Sequence, residues 1–338
     1  MLDLAPPGHD PIGVLTSTLP IVQSARHVRI EPDRIAPVAE QIAEAATIAP
    51  AWDDGLHVRD GTWKTAGWVL ALDALNFCFW SEDPDPEERW RVEYEGRLYD
   101  GYWALVAALR RAVEEGRPLW DPFYLAELTA RDVAHILRPH DLNYPEIPLL
   151  PLRVQNLREL GNGLIAAFPD RNPVTELIAS SGRSAARLVE QITTLFPSFN
   201  DVAEYGGQPV RFHKRAQILV ADLYGAFDGT GLGAFDDLDA LTAFADYKVP
   251  QVLRRFGVIA YAEALAARID NRQLIPAGSP EEVEIRAATV WACELLRRSL
   301  AERGGKLRAF EIDWALWLAG QSLPPDTHPY HRTFTVFY

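Results

Sequence analysis

Between Phe235 and Gln251 the chain reads Phe-Asp-Asp-Leu-Asp-Ala-Leu-Thr-Ala-Phe-Ala-Asp-Tyr-Lys-Val-Pro-Gln. Phe235, Leu238, Leu241 and Phe244 recur at the spacing of one helix face, with Asp236, Asp237, Asp239 and Asp246 threaded among them. A carboxylate beside an apolar face either stays solvated at its margin or is held inside, where it needs a partner or a ligand. Gly229, Gly231 and Gly233 form a turn before the run, and Tyr247-Lys-Val-Pro-Gln opens a new helix after it. The pattern predicts a glycine turn, a short acidic helix, a sharp bend and a further helix. It also predicts a carboxylate at the mouth of a pocket.

Most other segments carry helical period too. Ile35, Val38, Ile42 and Ala46 form one stripe, and residues 63–75 form a helix apolar enough to be buried. Leu105, Leu109 and Val113 continue the pattern, as do Leu188, Ile192 and Leu195. Ser279-Pro-Glu-Glu is a capping box with proline at the first helical position, and its helix is expected to run toward Gly304. Strand signals are few: Trp90-Arg-Val-Glu-Tyr turns at Gly96 into Arg97-Leu-Tyr, and a second hairpin is expected around Tyr205-Gly-Gly-Gln. The fold class is therefore all-α with minor β hairpins. The 338 residues form one catalytic unit, with possible lobes 1–145 and 146–338 divided at the Pro-rich stretch from His140 to Pro151.

Composition removes several classes of function. A net charge of −14 argues against a surface that coats nucleic acid, whose affinity comes from Lys and Arg neutralising phosphates. The apolar run from Gly67 to Trp80 is too short to span a bilayer. Cys78 and Cys293 sit within apolar helical patterns and read as reduced, buried thiols. No secretory signal is visible, so a soluble cytoplasmic protein is expected. His328 and His331 lie in a Pro-rich tail without further ligands, His57 and His213 are solitary, and no metal or cofactor is expected. Gly229-Thr-Gly-Leu-Gly follows a helix rather than a strand, which is the wrong context for a dinucleotide loop.

Three segments read as parts of a binding site. Asn76-Phe-Cys-Phe-Trp-Ser puts an amide among rings that could stack a flat heterocycle. Lys214 and Arg215 open a helix, where cations oppose the macrodipole unless they meet an anion. Asp313 lies between large apolar residues and needs a cation or a ligand N–H as partner.

Together with Lys214-Arg-Ala-Gln-Ile-Leu-Val-Ala-Asp, Phe244-Ala-Asp-Tyr-Lys-Val-Pro-Gln, Glu282-Val-Glu-Ile-Arg and Asp313-Trp-Ala-Leu-Trp, these segments resemble the queuosine salvage proteins. The resemblance runs from about Ser24 to Tyr338. It implies an N-glycosidase that releases queuine and ribose 5-phosphate from queuosine 5′-phosphate, and a fold similar to helix-hairpin-helix DNA glycosylases. It further implies that Asp237 is the catalytic carboxylate, Phe235 packs against the base, Asp313 accepts from its N–H edge, Trp314 flanks it and His57 makes a further contact. Lys214 and Lys248 are the physical candidates for the 5′-phosphate. Trp314 and Leu318 differ from the residues of some relatives, so contact with the cyclopentene-diol arm of the base is expected to differ. The expected partners are the nucleotide and queuine, acting on a monomer, with no nucleic acid or membrane partner. The competing readings are a helix-hairpin-helix nucleic-acid glycosylase and a nucleobase-binding protein without activity.

Overall fold

The computed structural model describes residues 4–5, 8–45, 55–81, 89–141 and 143–338 of the chain. Its first helices are α1 (Val14–Ser24), α2 (Pro32–Ala45) and α3 (Trp63–Ala74). Ile35, Val38 and Ile42 are buried, as their stripe demands; Ala46 lies outside the described residues. Every residue of α3 from Thr65 to Ala74 is buried, the condition in which a helix apolar on all faces is stable. Thr62 caps α3 by accepting the Lys64 N–H at 3.2 Å. Gly67 allows a neighbouring segment to close on this helix: a Cβ there would lie 2.4 Å from the Trp120 carbonyl oxygen.

A middle group follows: α4 (Gly101–Glu114), α5 (Pro122–Glu127), α6 (Ala130–Ile136), α7 (Leu150–Ala167), α8 (Pro173–Ser180) and α9 (Ala185–Leu195). The last group is α10 (Lys214–Ala226), α11 (Lys248–Arg255), α12 (Glu263–Asp270), α13 (Pro280–Ala301) and α14 (Ala309–Ala319). The central α13 is buried along almost its whole length; α1 and α2 pack on it from one side and α14 from another. α3 and α10 pack against each other, as do α11 and α14. The site grows from these contacts.

Strands are β1 (Val28–Ile30), β2 (Arg91–Tyr94), β3 (Arg97–Asp100), β4 (Val202–Tyr205), β5 (Gln208–Arg211) and β6 (Ile259–Tyr261). They form three antiparallel pairs among the described residues. Both expected hairpins are present, β2–β3 turning at Glu95 and Gly96 and β4–β5 at Gly206 and Gly207. The third pair, β1–β6, sets Arg29 opposite Ala260. Such a long-range pairing leaves no local signal in a sequence.

The acidic run is not a helix. It makes one short turn at Leu238–Ala240 and then runs without helix or strand until α11 begins at Lys248. The cause lies in where its backbone N–H groups go. Thr242 N–H donates to Gln217 Oε1 at 2.8 Å, and Phe244 N–H to Asp313 Oδ2 at 3.0 Å. Side chains of other helices take the donors that an i−4 ladder would have used. The capping box of α13 is also only half formed. Ser279 Oγ accepts the Glu282 N–H at 3.3 Å, but Glu282 turns to the Gly278 N–H and the Tyr338 hydroxyl.

Candidate functional site

A cavity of about 400 Å³ lies where the end of α3, the first turns of α10, the start of α11 and α14 converge. That volume suits one nucleotide-sized ligand. Six of the eight residues expected from sequence line it: His57, Asn76, Lys214, Lys248, Asp313 and Trp314. Asp237 and Phe235 do not.

Lys214 is the electrostatic centre. It is the first residue of α10, and its backbone N–H donates to Asp201 Oδ2 at 3.2 Å. Asp201 in turn takes both ends of the Arg286 guanidinium, at 2.9 and 2.5 Å, inside the core. The helix start is thus tied to α13. The Lys214 side chain is buried, and burial lowers its pKa; Asp246, Asp73 and Asp313 pull it back up. Among the described residues its Nζ has no hydrogen-bonding side-chain partner, so the ammonium is available to the cavity that it lines.

The carboxyls around it are held by different means. Asp313, on α14, accepts the Phe244 N–H, and burial together with Asp246 raises its pKa well above the usual carboxylate range. Asp246 uses Oδ1 to accept the Lys248 N–H at 2.9 Å and the Val249 N–H at 2.8 Å, capping α11. Burial raises its pKa, while Lys214 and those two N–H groups oppose the rise. Asp73 and Asp222 stand on the α3–α10 side. Asn76 Nδ2 donates to Asp73 Oδ1 at 3.3 Å, so Asn76 positions this carboxyl as well as lining the cavity.

Cations and rings form the outer part of the wall. Arg89 donates to the Tyr330 hydroxyl at 3.1 Å and reaches Asp100 at 3.4 Å. Lys248 Nζ lies 5.6 Å from the Tyr330 ring centroid, and burial with Arg89 lowers its pKa. His57 Nε2 is 2.9 Å from the Tyr102 hydroxyl, and its ring meets Trp68 and Trp103 edge-on. The rings of Tyr102 and Trp103 also meet Trp317. Phe310 stands T-shaped to Trp314 with centroids 5.1 Å apart, which sets the plane of the Trp314 ring.

Asp237, expected to be the catalytic carboxylate, is not among the residues that line this cavity. Its Oδ1 accepts the Ala185 N–H at 2.5 Å and its Oδ2 the Ser184 hydroxyl at 2.7 Å, so it reinforces the N-terminus of α9. Asp236 is exposed and paired with Arg183. Phe235 packs against the main core, and the rings of this run that line the cavity are Phe244 and Tyr247. Of the four carboxylates in the run, Asp246 is the one in the cavity wall. Its Oδ1 braces the bend that leads into α11. Asp222 was missed, although Lys214, Ile218 and Asp222 follow at i, i+4 and i+8 and all three line the cavity. Among the described residues no group of three or more His, Cys, Asp or Glu side chains could hold a metal ion.

The profile of the queuosine salvage protein family matches residues 56–338. Over 335 residues the chain is 55% identical to a queuosine 5′-phosphate N-glycosylase/hydrolase of Sphaerobacter thermophilus, covering 99% of this chain and 100% of that one. A protein of the same name from Nematostella vectensis is 38% identical over 302 residues, 85% of each chain. Another from Mus musculus is 34% identical over 331 residues, 94% of this chain and 96% of its own.

Proposed function

Because the chain belongs to the queuosine salvage protein family, we propose that it hydrolyses the N-glycosidic bond of queuosine 5′-phosphate, releasing queuine and ribose 5-phosphate. The observation that carries this reading is the grouping of Asp246 and Asp313 about one buried ammonium, Lys214, in a cavity of nucleotide size.

Breaking a ribosyl C–N bond develops positive charge on the sugar and negative charge on the base. Asp246 is the carboxylate for the first task. Two backbone N–H groups fix its Oδ1, which leaves Oδ2 to face the sugar and the attacking water without a reorganisation cost. The catalytic role carried by Asp237 in the sequence reading therefore passes to Asp246. Asp313 accepts the N–H edge of the guanine-like base between Phe244 and Trp314, with Asn76 close by. His57 completes the wall near Tyr102. Lys248 and Arg89 take the 5′-phosphate, and Lys214 stays with the carboxyls at the centre.

The likeness to helix-hairpin-helix DNA glycosylases belongs to the same proposal. It is supported by α11, the left-handed turn at Gly257 with φ +72°, and α12. The whole chain is taken to act as one catalytic unit, a cytoplasmic monomer whose partner is the nucleotide alone. The charge of −14 supports this over a nucleic-acid substrate, and no helix among the described residues is long and apolar enough to cross a membrane.

The test is direct. Purified protein is incubated with queuosine 5′-phosphate, and free base is separated and quantified against an Asp246→Asn control. No release by wild type above a protein-free blank would remove the hydrolase reading, release equal to that of Asp246→Asn would remove only the role of Asp246, and tight queuine binding without turnover would put a nucleobase-binding protein in its place.

A further inference from the structure

α3 and α10 bring two carboxyls together beneath the cavity. Asp73 is fully buried and Asp222 is 4% exposed. Oδ2 of each is sealed from solvent and has no hydrogen-bond partner. Neither Asp222 oxygen has a protein partner among the described residues, yet Asp222 lines the cavity. A sealed carboxylate oxygen without a donor costs several kcal/mol, and two carboxylates near enough for the charge of Asp73 to raise Asp222 cost more. A proton held between them removes that cost. Resting on the hydrolase reading, we propose that Asp73 and Asp222 carry one proton between them on the cavity floor, and that Asp222 is the general acid that delivers it to the departing base.

The surroundings fit this division of labour. Burial pushes the Asp73 carboxyl up to about 7, against the pull of Asn76, Lys214 and Arg215. Asp222 is raised well above the usual range by burial and by Asp73, with Lys214 opposing. Arg215 is not a counter-ion in contact with either carboxyl, because its guanidinium is spent on the backbone carbonyls of Asp73, Ala74 and Ser198. Lys214 is shared with Asp246 and Asp313 on its far side. Lys214 acts on all four buried carboxyls, with Lys248 adding at Asp246 and Arg215 at Asp73, yet all four stay raised, so protons must do part of the work.

The step balances. The C1′–N bond breaks and its electron pair goes to the base. The water oxygen bonds to C1′ and its proton goes to Asp246. The proton of the Asp73–Asp222 pair moves onto the base, which leaves neutral. Afterwards Asp246 is protonated and the pair is dianionic, and passage of the Asp246 proton to the pair through solvent restores the resting state. A 7-deazaguanine base lacks the ring nitrogen that purine hydrolases protonate, so a donor beneath its remaining acceptor atoms matters more here.

The experiment is the pH dependence of queuine release from queuosine 5′-phosphate by wild type, Asp222→Asn and Asp73→Asn, under single-turnover conditions. The hydrolase reading stands or falls on wild type alone. Wild type is expected to lose rate on the alkaline side about tenfold per pH unit above the pair's titration. Asp222→Asn keeps the shape and a hydrogen-bond donor but has no proton to give. Its rate should drop on the order of 10² or more, with the alkaline limb abolished. Asp73→Asn removes the neighbour that raises Asp222, so the limb should move to lower pH. An active wild type whose alkaline limb is unchanged in both variants would overturn the proposal. A purely structural role would lower thermal stability and leave the limb in place. If neither variant folds, calorimetry of queuine binding to wild type in buffers of different ionisation enthalpy decides. Uptake of a proton above the pair's titration supports the proposal, and binding without proton exchange across that range contradicts it.

Discussion

The Phe244 backbone N–H donates to Asp313 Oδ2 at 3.0 Å, so the non-helical segment leading to Asp246 is fastened to the carboxyl of α14 that faces the same cavity. One hydrogen bond sets the spacing between the two acidic groups on which the chemistry depends. It also explains why the segment is not helical. A helical Phe244 would point its N–H at the carbonyl of Ala240, and Asp313 would lose its donor.

The first prediction separates two aspartates nine positions apart. Asp246→Asn should lower kcat on the order of 10² to 10³, the scale seen when a placed electrostatic stabiliser is removed. Its affinity for free queuine should change little. Asp237→Asn weakens the capping of α9 and should cost about 1 kcal/mol of stability while the folded enzyme keeps its kcat. Steady-state kinetics beside urea unfolding of both variants checks this. A loss of kcat in Asp237→Asn like that of Asp246→Asn would return the catalytic role to Asp237.

The second concerns Lys214. Its charge lowers the pKa of Asp246 against the effect of burial. A carboxylate that must be ionised gives an acid limb, with activity lost as pH falls through its pKa. Lys214→Met removes the lowering influence, so the Asp246 pKa rises and the acid limb moves to higher pH. Rate profiles from pH 4 to 7 would show the displacement. An acid limb at the wild-type position would mean that another group controls it.

How much of this site could be read from sequence depends on what each residue does alone. Lys214, Asp313 and Asn76 were legible because each is a polar group in an apolar helical context, which calls for a partner wherever it lies. Asp246 is not legible as a cavity residue, since a sequence cannot show that a carboxyl whose Oδ1 caps a helix also lines a cavity. The acidic run was read as a helix because Phe235, Leu238, Leu241 and Phe244 do have helical spacing. The donors' real partners, Gln217 and Asp313, are brought in by α10 and α14. Arg89 and Tyr330 escaped for a similar reason: a hairpin and the C-terminal segment meet only in three dimensions. The helices themselves were plain from period and caps, while β1–β6 was not.

The third prediction addresses the phosphate. Arg89 and Lys248 flank Tyr330 at the outer wall. Arg89→Gln should lower kcat/KM for queuosine 5′-phosphate about tenfold, which corresponds to about 1.4 kcal/mol for a charge-assisted hydrogen bond. The same change should leave any turnover of the unphosphorylated nucleoside within about twofold. The ratio of the two substrates is the readout. A parallel loss for both would show that Arg89 supports the wall without contacting phosphate.

The last prediction is thermodynamic and independent of any substrate. Burial holds the Asp73 carboxyl at about 7, above the value near 3.9 expected for an unfolded aspartate. Between those two values the folded state keeps a proton that the unfolded state has released. Unfolding therefore becomes more favourable as pH rises: the stability present below about 4 is lost progressively up to about 7. Asp73→Asn has no such proton to lose. Relative to wild type it should gain stability from pH 4 to pH 8, by up to about 4 kcal/mol if the whole shift acts. Coupling to Asp222 shares out the effect, because removing one carboxyl eases ionisation of the other. Urea midpoints at pH 4.5, 6 and 8 give the difference directly. A difference between variant and wild type that is constant across this range would show that Asp73 is ionised in the folded protein, which leaves Asp222 as the sole holder of the pair's proton.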